Sequence, residues 1–299
     1  MHLIRWRPVR VKKRERQECE SIESNTRQEL SFVRFIPQKA IILFALLMLC
    51  DQSIAANSNN TSTSDPNFDS TRLFAWQASA SDYFADTEVR DLARAASDGD
   101  TAGVGRLIAN GVGVNSRGKG GVTPLNWALA RQSKDGVLCL LQHGANPNLQ
   151  MDDGTSAVSY AAMHEDIWYL KTVLEHGGDP NLENKIRSFT PICYSITSSD
   201  VAKPRLEQVK LLIRAGANLN WQDRNGETPL SVAADANRYD MVYLMLEAGA
   251  DPTIKSTWDT TIVTEINTIQ TDPNSDLYRW RAKVIALLKA KEIDVEHGR

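Results

Sequence analysis

The stretch "LLQHGANPN", Leu140–Asn148, returns along the chain as "VLEHGGDPN" (Val173–Asn181), "LIRAGANLN" (Leu212–Asn220) and "MLEAGADPT" (Met245–Thr253). Its glycine falls at Gly111, Gly144, Gly177, Gly216 and Gly249, in steps of 33, 33, 39 and 33 residues. A second phrase keeps the same period: "VTPLNWALA" from Val122, "GTSAVSYAA" from Gly154, "FTPICYSIT" from Phe189, "ETPLSVAAD" from Glu227 and a degenerate "DTTIVTEIN" from Asp259. Two motifs locked to one period of about 20–50 residues mark a repeat architecture.

Each unit reads as a turn and two helices. Thr123, Thr190 and Thr228 are placed to cap a helix start by accepting a backbone N–H, and Pro124, Pro191 and Pro229 suit the first helical position, where a missing N–H costs nothing. A short helix of small apolar residues follows. The second helix carries apolar residues at helical spacing, as in Val137, Leu140 and Leu141 or Val209, Leu212 and Ile213. The glycine then supplies the positive φ that stops it.

Together, "TPLNWALA" and "LLQHGANPNL" resemble the ankyrin repeat family, over about Asp91 to Ile293. The resemblance implies a mainly α solenoid of stacked helix-turn-helix units with β-hairpin tips. The family's frequent His after Thr-Pro-Leu is replaced here by Asn126, Val158, Cys193, Ser231 and Val263, so the hydrogen bond of that His does not carry over. Repeats are placed at about 88–117, 118–150, 151–183, 184–221, 222–254 and a degenerate 255–293, within a repeat domain of 72–293, with a tail at 294–299. Phe74, Trp76, Tyr83 and Phe84 read as an N-terminal cap. Insertions are expected near Ser198–Arg205, which accounts for the step of 39, and near Thr268–Asp276.

Residues 1–50 are different in kind. They hold ten Lys and Arg against five Glu and end in "AIILFALLMLC", ten apolar residues before Cys50. That run is short for a bilayer span, which takes about 20 residues. A basic segment before a short apolar core describes a secretory signal. Its 39-residue basic region is long, and a translation start near Val33 gives a signal of ordinary length. Three fates stay open: cleavage within "SIAANS", where Ser53 and Ala55 have the spacing a signal peptidase requires; acylation of Cys50, since "LMLC" resembles a lipoprotein signal with Leu49 as its departure; or retention as an uncleaved anchor. Residues 51–71 are a polar tether. In all three cases the repeats are expected in the periplasm.

Beyond residue 50 the chain keeps 24 Lys and Arg against 32 Asp and Glu. An acidic balance with no basic stripe lacks the footprint of a nucleic-acid binder, and a cationic or mixed protein surface suits it better. Cys139 and Cys193, two repeats apart, read as small core residues too distant for a disulfide. The sequence holds no nucleophile elbow, zinc-protease motif, phosphate-binding glycine loop or Cys pairs at zinc spacing, so no catalytic residue, cofactor or metal is assigned. His143 and His176, one residue before their helix-ending glycines, fit the negative end of a helix dipole. His164, followed by Glu165 and Asp166, has no nucleophile beside it. These features point to binding rather than turnover.

The resemblance implies that partners are held by the tips and by the concave face of the inner helices. Carried over position by position, the contact residues are Lys119, Arg131, Gln150, Met151, Asp152, His164, Arg187, Phe189, Trp221, Arg224, Glu227, Asp235, Lys255 and Trp258, with Trp221 and Trp258 as the expected anchors. The phrases "YDMVYLMLEAGADP" and "TPLNWAL" further resemble ankyrin proteins of the proteobacterial cell envelope, some of which neutralise a toxin delivered by a type VI secretion system, often a phospholipase. Two roles follow: an immunity protein for such a secreted toxin, or an envelope adaptor that docks a resident enzyme or stress-protection complex.

Overall fold

The computed structural model describes residues 78–198, 205–268 and 272–295. The signal segment, Cys50, the tether, Phe74, Trp76 and the middle of both expected insertions lie outside them. The described residues form 13 α-helices. Helix α1 (Ala80–Tyr83) precedes six pairs: α2 (Thr87–Ser97) with α3 (Thr101–Ala109), α4 (Pro124–Ala130) with α5 (Lys134–Gln142), and α6 (Ala157–Met163) with α7 (Ile167–Glu175). Then come α8 (Pro191–Thr197) with α9 (Leu206–Arg214), α10 (Pro229–Asp235) with α11 (Tyr239–Glu247), and α12 (Ile262–Thr268) with α13 (Asp276–Ala290). The even-numbered helices α2 to α12 pack side by side in one row and the odd-numbered α3 to α13 in a second. This is the solenoid that the period demands.

Helices of seven residues do not persist alone in water, so each inner helix depends on its neighbours. Small residues make close approach possible: Ala96, Ala128, Ala161, Ala162, Ser195, Ala233 and Ala234 are all buried. Between the rows, Leu140, Leu170, Val173, Val209, Leu212, Val242 and Met245 are fully enclosed. One continuous apolar core runs from Ala80 to Val295.

The repeated phrase now has a physical reading. Gly144 has φ +85°, and a Cβ there would meet nothing within 4 Å, so its job is conformational. It closes α5 with bonds from Gly144 N to Leu141 O (3.0 Å) and from Ala145 N to Leu140 O (2.9 Å). The Asn two residues after the glycine shapes the turn, its Oδ1 accepting from Asn148 N at 2.9 Å. The final Asn reaches forward a whole repeat: Asn148 Nδ2 donates to Gly177 O (2.9 Å) and its Oδ1 accepts from Asp179 N (2.8 Å). Asn115 and Asn181 do the same to Gly144 and Asn146 and to Gly216 and Asn218. Asn220 accepts from Asp251 N at 2.9 Å. The phrase recurs because every copy is read by the one before it.

The helix starts hold one correction. Ser156 and Thr261 are the N-caps of α6 and α12, so the residues facing them three positions on are Ser159 and Thr264, one residue later than Val158 and Val263. A small polar pair recurs at Thr123–Asn126, Ser156–Ser159, Thr228–Ser231 and Thr261–Thr264, for example Thr123 Oγ1 to Asn126 Oδ1 at 2.7 Å, whereas α2 starts with Asp86 facing Val89. Thr123 and Thr228 cap as expected, with reciprocal bonds to Asn126 and Ser231. Thr190 makes no side-chain bond to a helix N–H; its hydroxyl lies 3.4 Å from Cys193 Sγ instead. Thr228→Ala is therefore expected to cost about 1 kcal/mol and Thr190→Ala clearly less, read from urea unfolding of the two variants. Among the described residues no strand forms at the tips. The nearest approach is an antiparallel bridge between Asn184 and Phe189.

Candidate functional site

The tips are five loops between helix pairs, and backbone chemistry ties them into a row. Asp152 N donates to Gly120 O at 2.9 Å and Thr257 N to Asn225 O at 2.8 Å. Side chains add rungs at the repeat spacing: Gln150 Nε2 donates to Glu183 O (2.7 Å), Gln222 Nε2 to Lys255 O (3.2 Å), and Arg117 Nη2 to Gln150 O (2.5 Å). Gln150, expected as a contact, is thus a rung of the row. Arg224 likewise donates to the backbone oxygen of Lys185, though it stays exposed.

Of the other expected contact residues, Lys119, Arg187, Asp235, Lys255 and Trp258 are exposed, and Asp152, Phe189, Glu227 and His164 half-buried. Met151 is only 3 % exposed, enclosed in the core with little to offer a partner. Val122, which opens the first inner-helix phrase, is buried completely. Arg131 is occupied structurally: its guanidinium stacks 4.2 Å over the Trp127 ring and donates to Ala78 O at 2.6 Å, fastening the segment that leads into α1. Tyr83 and Phe84 close over the same Trp127, with ring centroids at 5.6 and 6.3 Å, which is the cap expected of them.

The two tip tryptophans part company. Trp221 is half-buried and packs on the core, so it is a structural residue before it is an anchor. Trp258 is 54 % exposed. Sequence reasoning missed Ile186, the most exposed large apolar residue at 58 %, on the loop after Asn184. Asn184 itself is fully buried and makes four bonds: to Asp153 O (3.0 Å) and the Tyr194 hydroxyl (2.7 Å), and from the N–H groups of Ile186 (3.0 Å) and Arg187 (3.1 Å). It holds out Ile186 and Arg187. The equivalent turn position is Met151 in the repeat before and Asp223 in the repeat after, so no repeated residue type marked it in the sequence.

His164 sits where α6 ends. Its Nδ1 accepts from Asp166 N at 3.0 Å, and its ring lies 4.3 Å from that of Tyr169. Burial holds its pKa below the ordinary 6.5, against the pull of the Asp166 and Glu165 carboxylates. A neutral ring with Nδ1 accepting is thus a loop anchor, and Gln208 secures the same loop through His164 O and Glu165 O (3.1 and 3.2 Å). His143 and His176 close α5 and α7 as expected, each with Nδ1 at 2.8 Å from the carbonyl of the residue four before it, Cys139 or Thr172. Cys139 and Cys193 are buried free thiols, and burial pushes Cys193 up to about 11. Among the described residues, no three His, Cys, Asp or Glu side chains are gathered as a metal site.

The charge pattern departs from the composition. All six Lys and Arg of the tip loops are exposed, whereas the tip carboxylates other than Asp259 are drawn inward. Lys255 pairs with the exposed Asp259 at 2.7 Å and Arg117 with Asp152 at 3.9 Å, so the tips carry charges of both signs.

The geometry has an independent counterpart. A family model of ankyrin repeats, three copies long, matches residues 92–184 and again 178–256. A comparison with curated proteins finds no match. Ankyrin repeats are generally binding scaffolds rather than catalysts, which agrees with a site made of tips and rungs. With two overlapping matches over a stack of helix pairs at the same period, the chain belongs to the ankyrin repeat family.

Proposed function

We propose that this protein is a non-catalytic immunity protein of the bacterial periplasm, which binds and neutralises a secreted toxin, a type VI effector of the lipase class being favoured. The observation that carries the binding half is the row of tips, fastened repeat to repeat, from which Ile186, Arg187 and Trp258 project. The periplasmic half rests on residues 1–50, whose basic segment and apolar core read as an export signal. A rigid row on short loops suits tight capture, because little side-chain and loop freedom is lost on binding.

The test is competition between sibling cells. Cells lacking the protein are expected to be killed by siblings that carry the matching envelope-active effector, and expression of the full chain to restore them. A form lacking residues 33–50, retained in the cytoplasm, is expected to give no protection. Full protection by that form would refute a periplasmic site of action. Indifference of the deletion strain to every sibling effector would refute immunity.

A further inference from the structure

We propose that the loop at His164 is an acid-sensitive latch, closed while the ring is neutral, that fastens three consecutive helix pairs to one another. The inference stands whatever the partner is. Among the described residues are three histidines, and one uses Nδ1 in the opposite sense to the other two. Beside His143 and His176 the atom 2.8 Å away is a carbonyl oxygen, of Cys139 and Thr172. There Nδ1 donates, and a proton gained at Nε2 leaves the bond intact. Beside His164 it is the backbone N of Asp166, at 3.0 Å, so Nδ1 accepts. A proton on that atom turns the acceptor into a donor, and two N–H groups then face each other.

The loop holds more than itself. Asp166 is the N-cap of α7, its Oδ1 accepting from Trp168 N at 2.9 Å, and its other oxygen takes the Lys134 ammonium of α5 at 2.6 Å. From the next pair, Gln208 of α9, only 4 % exposed, donates to His164 O and Glu165 O at 3.1 and 3.2 Å. Tyr169 lays its ring 4.3 Å from the imidazole and donates its hydroxyl to Gln132 O, at 2.6 Å, in the turn before α5. Helices α5, α7 and α9 therefore meet at one loop, and its shape turns on one lone pair.

The charges around the ring are Asp166 and Glu165 on the loop, Lys134 from α5 and Arg205 at the start of α9, while α6 carries none. Burial holds the proton off His164, aided by Arg205, and outweighs the pull of Asp166 and Glu165, so the pKa lies below 6.5. The hydrogen bond from Lys134 keeps Asp166 below the ordinary carboxylate range, and burial keeps Tyr169 above 10, so neither changes charge while the ring titrates. A histidine depressed in the folded chain supports the fold fully above its unfolded value of about 6.5. That support is lost as the pH falls through the lower folded value. Acid is the direction that opens the latch.

The test follows amide exchange and the imidazole NMR signals of the full exported chain from about pH 7.5 to about pH 5, the range in which a histidine titrates. The protection factor of the Asp166 amide, corrected for the intrinsic effect of pH, is expected to fall roughly tenfold, the equivalent of one hydrogen bond. That fall should share its midpoint with the His164 ring, below 6.5. The amides of His143 and His176, which close α5 and α7, should keep their protection. His164→Asn keeps an acceptor for the N–H two residues on, the turn that Asn146 makes with Asn148, and cannot gain a proton. Its Asp166 amide is expected to stay protected throughout. His164→Ala should be as open at neutral pH as the parent is in acid. A ring that titrates with no change at Asp166, an asparagine variant that opens in acid as the parent does, or an alanine variant as protected as the parent overturns the proposal. Should either variant fail to fold, the shared midpoint of ring and amide in the parent decides.

Discussion

Gly136→Ala is expected to lower the unfolding free energy by about 3 kcal/mol, the upper end for an overpacked core. Gly136 lies in the first turn of α5, and a Cβ there would run into the carbonyl oxygen and carbon of Ala96, at the end of α2. Those are backbone atoms of a neighbouring repeat and have no rotamer to yield. Relief requires α2 and α5 to separate, which opens the contact between the first two helix pairs. Gly105→Ala in α3 is the control. Its Cβ would meet only His143 Nε2, at 3.8 Å, an ordinary contact. Alanine favours helix over glycine by up to about 1 kcal/mol, so that variant should be neutral or stabilised. Urea unfolding of both decides the matter, and equal effects would refute the packing described here.

Asn184→Ala is expected to cost about 3 kcal/mol as well, by a different route. It strips partners from Asp153 O, the Tyr194 hydroxyl and two backbone N–H groups at once, and each buried group left unpaired costs about 1–3 kcal/mol. Tyr194, only 4 % exposed, would fall back on its second partner, the Thr155 side chain, so most of the cost falls on Asp153 O and the two N–H groups. The same substitution frees loop 184–189, so amide exchange should rise at Ile186 and Arg187 while the outer helices stay protected. Unchanged exchange in that loop would mean Asn184 does not set its shape.

These two residues show where the sequence was legible and where it was not. The period, the helix pairs and the helix-ending glycines obey local rules, so "LLQHGANPN" was enough to place them. The inner-helix starts slipped by one residue at Val158 and Val263 because those repeats have no proline to mark the first helical position. What lay across the stack was hidden. Gly136 reads as one poor helix former among good ones until Ala96 is seen against it. Arg131 looks like a surface cation, yet its partner Ala78 is 53 residues away. Trp221 and Trp258 both occupy turns; the core beneath the first settles what their positions cannot. The tip charges balance in number, and only the structure shows which of them pair, as Lys255 does with Asp259.

The most direct test of binding without turnover is a stoichiometric titration. The matching effector is held at fixed concentration, its activity on its own substrate is followed, and the purified full chain is added in steps. Expected is inhibition that ends at a fixed molar equivalence, with a complex of the two chains recovered by gel filtration, and loss of both when Lys185→Glu and Arg187→Glu are introduced together. Inactivation of many effector molecules by each copy of this protein, with no complex, would contradict the claim and make the protein an enzyme.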